Sequence, residues 1–124
     1  MIPFKNRFHG HSSLSYVYKN GQAVHSHPVT IKYAPNPHRQ ESRVAVVVSK
    51  KTLKSAVRRN LIRRRLYEYI RGKLPSFNNV YDMVIIVTSS DFINLTHPEM
   101  SHQIDQLFNQ AGVQKANKRV PKNT

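Results

Sequence analysis

Cysteine is absent from the 124 residues, so neither a disulfide nor a thiolate metal site can form. Such a composition suits a reducing cytosol. Long apolar runs are missing as well. None approaches the roughly 18–20 residues of a membrane span, and the N-terminal MIPFKNRFHGHSS has no signal-peptide core. The expectation is a soluble, cytoplasmic protein with no membrane partner. Glycine is scarce, at four residues, and no Gly-rich phosphate loop occurs, which argues against a nucleotide-driven enzyme. Acidic residues number only six. Asp82, Asp91, Glu99 and Asp105 lack the paired spacing of a two-metal nuclease, and Asp91 and Glu99 fit helix N-termini better. His9-x-His11 and His25-x-His27 offer imidazole pairs, but no carboxylate nearby in sequence completes a ligand set or orients a ring. Surface or phosphate-contacting histidines are expected, and no catalytic residue or metal ligand is assigned to this chain.

What is present is positive charge on a foldable frame. Twenty Lys and Arg give a formal net charge of +14, and self-repulsion on that scale calls for a polyanionic partner. Hydrophobic content of 39% supports a real core in a single domain spanning residues 1–124. Its folded part is expected over about 7–112, with the basic tail 113–124 unstructured. A short helix is expected from a cap at Ser12 or Ser13 to Asn20-Gly21. Strands follow at about Gln22–Ser26 and Val29–Ala34, where Val29, Ile31 and Tyr33 alternate with Thr30 and Lys32, so that one side faces a core or a cleft. Arg43–Val48 is a third strand, and its unbroken apolar run predicts a central place covered on both faces. Tyr81–Thr88 is a fourth of the same kind, and a last helix is expected from His97 to about Ala111, with Ile104, Leu107, Phe108 and Ala111 as its apolar stripe.

The charge concentrates between Arg43 and Lys73, where eleven Lys and Arg stand against one carboxylate, Glu68. Ser55 is the expected cap of a helix through SAVRRNLIRRRLYEYIR. At about 100° per residue, Ala56, Arg59, Asn60, Arg63, Arg64 and Tyr67 share one stripe, and Ile62, Leu66, Tyr69 and Ile70 another. One stripe can dock on a sheet. The other, arginine-rich with a small alanine, suits close approach to a phosphate backbone.

The segment VVVSKKTLKSAVRRNLIRRRLYEYIR resembles the signature of the bacterial ribonuclease P protein component. Ser49-Lys50-Lys51 match the family's Ser-Lys-Lys after the central strand. Ala56, Val57, Arg59 and Asn60 match its helical motif, with Arg63 and Arg64 at the following Lys-Arg pair. Two positions depart, since Leu61 and Tyr67 stand where the family carries arginine. Arg7-Phe8, the short helix and Lys19-Asn20-Gly21 extend the likeness, which covers roughly Arg7 to Gly112.

The resemblance implies an α/β domain of two-layer α+β type in the order α-β-β-β-α-β-α. It has a four-stranded, mostly antiparallel or mixed sheet, three helices and a left-handed β-α-β crossover around the basic helix. It also implies a subunit of ribonuclease P that assists removal of the 5′ leader from precursor tRNA, one protein per RNA. The catalytic RNA performs the chemistry with Mg2+, and no cofactor is expected on the protein alone. Lys50, Lys51, Arg59, Asn60, Arg63 and Arg64 would contact the catalytic RNA, while Leu14, Tyr18 and Tyr33 would line the leader cleft. Aromatic stacking suits leaders of varied sequence, because every base offers a π-face. The alternative is a ribosomal-protein-like assembly factor that binds structured RNA without a processing role.

Overall fold

The computed structural model describes residues 11–114, with side chains from Ser15 onward. Leu14 and the Arg7-Phe8 pair therefore lie outside the described side chains. The elements run α1 (His11–Asn20), β1 (Gln22–Ser26), β2 (Val29–Pro35), β3 (Arg43–Val48), α2 (Ala56–Lys73), β4 (Tyr81–Val87) and α3 (His97–Ala111), in the expected order. Two short 3-10 turns, Leu74–Ser76 and Ser90–Asn94, flank β4.

The four strands form one mixed sheet in the order β1-β2-β4-β3. β1 pairs antiparallel with β2, β2 antiparallel with β4, and β3 parallel with β4 through α2. The apolar run in β3 had pointed to a central strand, but β3 lies at the sheet edge and β4 takes the centre. An apolar run reports burial of the two faces and is silent about the edge. Both faces of β3 are indeed largely covered, and its edge is closed differently: the Val46 N–H donates to the Tyr67 hydroxyl on α2 at 3.1 Å.

The main core lies between the sheet and α2 and α3. It takes Val29, Ile31 and Tyr33 from β2, Val44, Val46 and Val48 from β3, and Met83, Ile85 and Val87 from β4. Ile62, Leu66 and Ile70 of α2 and Met100, Ile104, Leu107 and Phe108 of α3 complete it. The intervening residues of each strand face the other way. There α1 packs, and Val17 and Val84 are fully buried.

Local chemistry sets the ends of the helices. The Ser55 hydroxyl accepts from the Arg58 N–H and opens α2. Thr96 and Glu99 form a reciprocal capping box on α3, and Gly112 closes that helix with a left-handed φ of 71°. Gly21 ends α1 for a different reason, since a Cβ there would stand 2.6 Å from the Val17 carbonyl and 2.8 Å from that of Tyr33. Order continues past the expected boundary at Gly112. Val113 is fully buried, its carbonyl accepts from the Asn78 N–H, and Gln114 bridges to Phe77. The remainder of the basic tail lies outside the described residues.

Candidate nucleic-acid interface

The basic residues begin on a turn that is tied down from within. After β3, the Ser49 carbonyl accepts from the N–H groups of Thr52 and Leu53 at 3.1 and 3.0 Å, and the Ser49 hydroxyl also accepts from the Thr52 N–H. Leu53 is buried in the core and anchors the turn from below. Lys50 and Lys51 are left exposed on its outer side.

Arg59, one turn into α2, reaches back over this loop. Its Nη1 donates to the carbonyls of Leu53 and Lys54, both at 2.9 Å, so the guanidinium fastens the turn to the helix. Arg63 donates to the Asn60 side-chain oxygen at 2.9 Å and fixes the orientation of that amide. Asn60 and Arg64 are exposed, while Arg59 and Arg63 are half-buried. Of the six expected RNA-contact residues, Lys50 and Lys51 lie on the turn and the other four on α2, with Arg59 joining the two elements. Tyr67, farther along the same stripe, is the residue that meets the edge of β3. The arginine stripe therefore runs beside the β3 edge of the sheet.

Two neighbouring arginines do different work. Arg65 donates to the Leu95 carbonyl at 2.8 Å and ties α2 to the segment before α3. Arg58 is exposed, beside Val57 and Leu61, which are 78% and 41% exposed.

The expected leader-cleft residues separate. Tyr18 on α1 is 40% exposed, and the Lys32 ammonium sits 4.9 Å from its ring centroid. Burial pushes the Tyr18 phenol pKa above its ordinary value. Tyr33 does not join them. It is 8% exposed on the opposite face, where its hydroxyl donates to Gln22 Oε1 at 3.1 Å and to the Ala111 carbonyl at 3.3 Å, with its ring edge-on to Tyr81. The period-2 alternation is compatible with either side of β2 facing α1, and the structure turns Tyr33 to the main core instead. Lys32 is the β2 residue that meets Tyr18 on the α1 side. Its signal was a cation placed mid-strand between apolar neighbours.

The sheet face beside α1 carries a row perpendicular to the strands. The strand register sets His25 opposite Thr30, Thr30 opposite Ile86, and Ile86 opposite Val47, all on the face turned away from the main core. Ile86 and Val47 are only half-covered, so the row has an apolar, partly open floor. At the other end of the same face, Asp82 accepts two bonds from Arg43, at 2.9 and 2.7 Å, and one from Asn36 at 2.8 Å. That buried pair closes the end of the sheet away from the lysine turn.

The histidines diverge from a metal pair. His25 is hydrogen-bonded through Nδ1 to the Thr30 hydroxyl at 3.2 Å, whereas His27 lies beyond the strand and meets Asp91 at 3.1 Å. A carboxylate does therefore orient one ring, contrary to the sequence expectation, because 64 residues of separation hid the contact. Both partners are strongly exposed, and among the described residues no group of three His, Asp or Glu could hold a metal ion.

These features have counterparts in known proteins. The sequence model of the ribonuclease P family matches residues 2–112. The chain belongs to the ribonuclease P protein family. Among its relatives, a ribonuclease P protein component from Prochlorococcus marinus (strain AS9601) is 34% identical over 106 residues, covering 75% of this chain and 83% of that protein. One from Synechococcus (strain JA-2-3B'a(2-13)) is 28% identical, covering 90% and 85%. The Staphylococcus aureus RNase P protein shares the fold, with a TM-score of 0.79 at 21% identity over 89% of this chain and 98% of that one. The Thermotoga maritima RNase P protein does so at a TM-score of 0.71 and 20% identity, over 83% and 96%. Nothing in these likenesses supports the assembly-factor alternative. Among the described residues, no helix is long and apolar enough to cross a membrane.

Proposed function

We propose that this protein, a ribonuclease P subunit, binds the catalytic RNA one to one in the cytoplasm and holds the 5′ leader of precursor tRNA while that RNA cleaves it. Lys50, Lys51, Arg59, Asn60, Arg63 and Arg64 contact the catalytic RNA, and Tyr18 with Lys32 receives the unpaired leader. The observation that carries this reading is the lysine turn fastened to α2 by Arg59. A cationic surface held rigid by its own backbone loses little conformational entropy on meeting phosphates. Planar guanidinium groups beside it suit bidentate contacts to phosphate oxygens.

The protein supplies no catalytic group in this scheme. RNA and precursor repel one another, and the protein's charge reduces that repulsion where they meet. Mg2+ belongs to the chemistry of the RNA. A leader held on a face bearing Tyr18 and Lys32 stacks and pairs its charge without a demand on base identity.

The test is cleavage of a 5′-extended precursor tRNA at low Mg2+ by a bacterial ribonuclease P RNA, with and without the protein. Cleavage at the mature 5′ end that depends on both components supports the proposal. Cleavage by the protein alone, or RNA binding without stimulation, would reject it.

A further inference from the structure

We infer that His25 is a leader-binding residue, donating from Nε2 to a backbone phosphate at the far end of the row that crosses the sheet. This rests on the reading that the leader lies on the α1 side of the sheet. The row starts at Val47 on the edge strand, beside the arginine stripe of α2, and ends at His25 on the opposite edge strand. Three strand spacings separate the two ends, roughly 14 Å, or about two to three nucleotides of an extended strand. The half of the row next to α2, Val47 and Ile86, is apolar and half-exposed, a floor for base or ribose faces. The end of the row beyond that floor, at His25, is the place where a hydrogen-bond donor is useful to a phosphate.

His25 is prepared for that task. It is exposed, on the strand neighbouring Lys32, and its ring is oriented by the bond between Nδ1 and the Thr30 hydroxyl. In the tautomer whose Nδ1 accepts from that hydroxyl, Nε2 carries the ring proton, and Nε2 bonds to no other described residue. Thr30 is buried, so the hydroxyl that orients the ring is itself held in place. His25 thus presents Nε2 in a fixed direction, at the point where a strand leaving the apolar floor turns its backbone towards the sheet edge.

The experiment uses the holoenzyme and precursor tRNAs whose leaders lengthen one nucleotide at a time, reading Kd and kcat separately. For the unmodified protein, affinity rises with leader length and then levels off. His25→Ala should remove the last increment, about three- to tenfold in Kd, while leaving short-leader binding and kcat unchanged. His25→Gln, which keeps a donor, should recover part of it. A single neutral methylphosphonate at the responsible leader phosphate should cost the unmodified protein the same factor and leave His25→Ala indifferent. Wild-type affinity for long leaders in His25→Ala, with Tyr18→Ala still impaired, would overturn this inference alone. Affinity independent of leader length in every protein would overturn the leader reading beneath it.

Discussion

Arg59 and Arg64 sit five residues apart on one helix, yet the structure gives them different work. Arg59 spends two N–H groups on the carbonyls of Leu53 and Lys54, so its loss should register in the protein alone. Arg59→Ala should lower unfolding free energy by about 1 kcal/mol in a denaturant titration and also weaken RNA binding. Arg64 is exposed, so Arg64→Ala should leave the denaturation midpoint in place and weaken RNA binding only. Equal midpoints for the two variants would remove Arg59 from its role in fastening the turn. Leu61 and Tyr67, the departures from the family arginines, also part here. Tyr67 seals the β3 edge through Val46, whereas Leu61 remains 41% exposed.

At the scale of elements, two junctions hold the interface in place. Gly21 lets α1 turn into β1 against two backbone carbonyls, neither of which can move aside like a flexible side chain. Gly21→Ala should therefore destabilise the protein by roughly 1–3 kcal/mol, read by thermal or denaturant unfolding. An unchanged midpoint would show that α1 can shift without cost. The second junction pins α2 to α3: the Tyr69 hydroxyl donates to Asp105 at 2.6 Å, and Lys73 lies 3.3 Å from the same carboxylate. Burial, then the bond to Asp105, raises the Tyr69 pKa above its ordinary value. Burial works to lower that of Lys73, but the Tyr69 hydroxyl and Asp105 outweigh it and the net direction is upward. Both groups hold their protons more tightly when folded. Their contribution is complete below the unfolded-state values of 10.0 and 10.5 and is lost as pH rises through the higher folded ones. Stability should thus fall in the alkaline range, and Tyr69→Phe should flatten that fall. The same alkaline slope in the variant would refute the assignment.

The whole molecule carries a formal charge of +14, and among the described residues most of the exposed Lys and Arg lie on the lysine turn and α2. Each phosphate that the surface neutralises releases counterions, so log affinity for the RNA should fall linearly and steeply with log salt. Removing one contact, as in Arg64→Ala, should flatten the slope by about one unit. A slope near zero for the unmodified protein would mean that the charge serves something other than phosphate contact.

Element order, the first and last residues of β1 and β3, the Ser55 cap and the docking stripe Ile62-Leu66-Ile70 were legible in the sequence, because periodicity and capping are local. The Lys50-Lys51 turn and the arginine stripe were legible too, since a helix places residues three and four apart together wherever it is packed. Strand order was not. Burial of both faces looks the same for a central strand and for an edge strand sealed by a tyrosine. Nor could alternation in β2 say which side met α1, and so that Lys32 rather than Tyr33 lies beside Tyr18 was not legible. Local spacing determined the charge and the frame that carries it. Only the tertiary structure decided which face of the sheet lies open, because that depends on which side α1 covers and where α2 and α3 pack, contacts made between residues far apart in the chain.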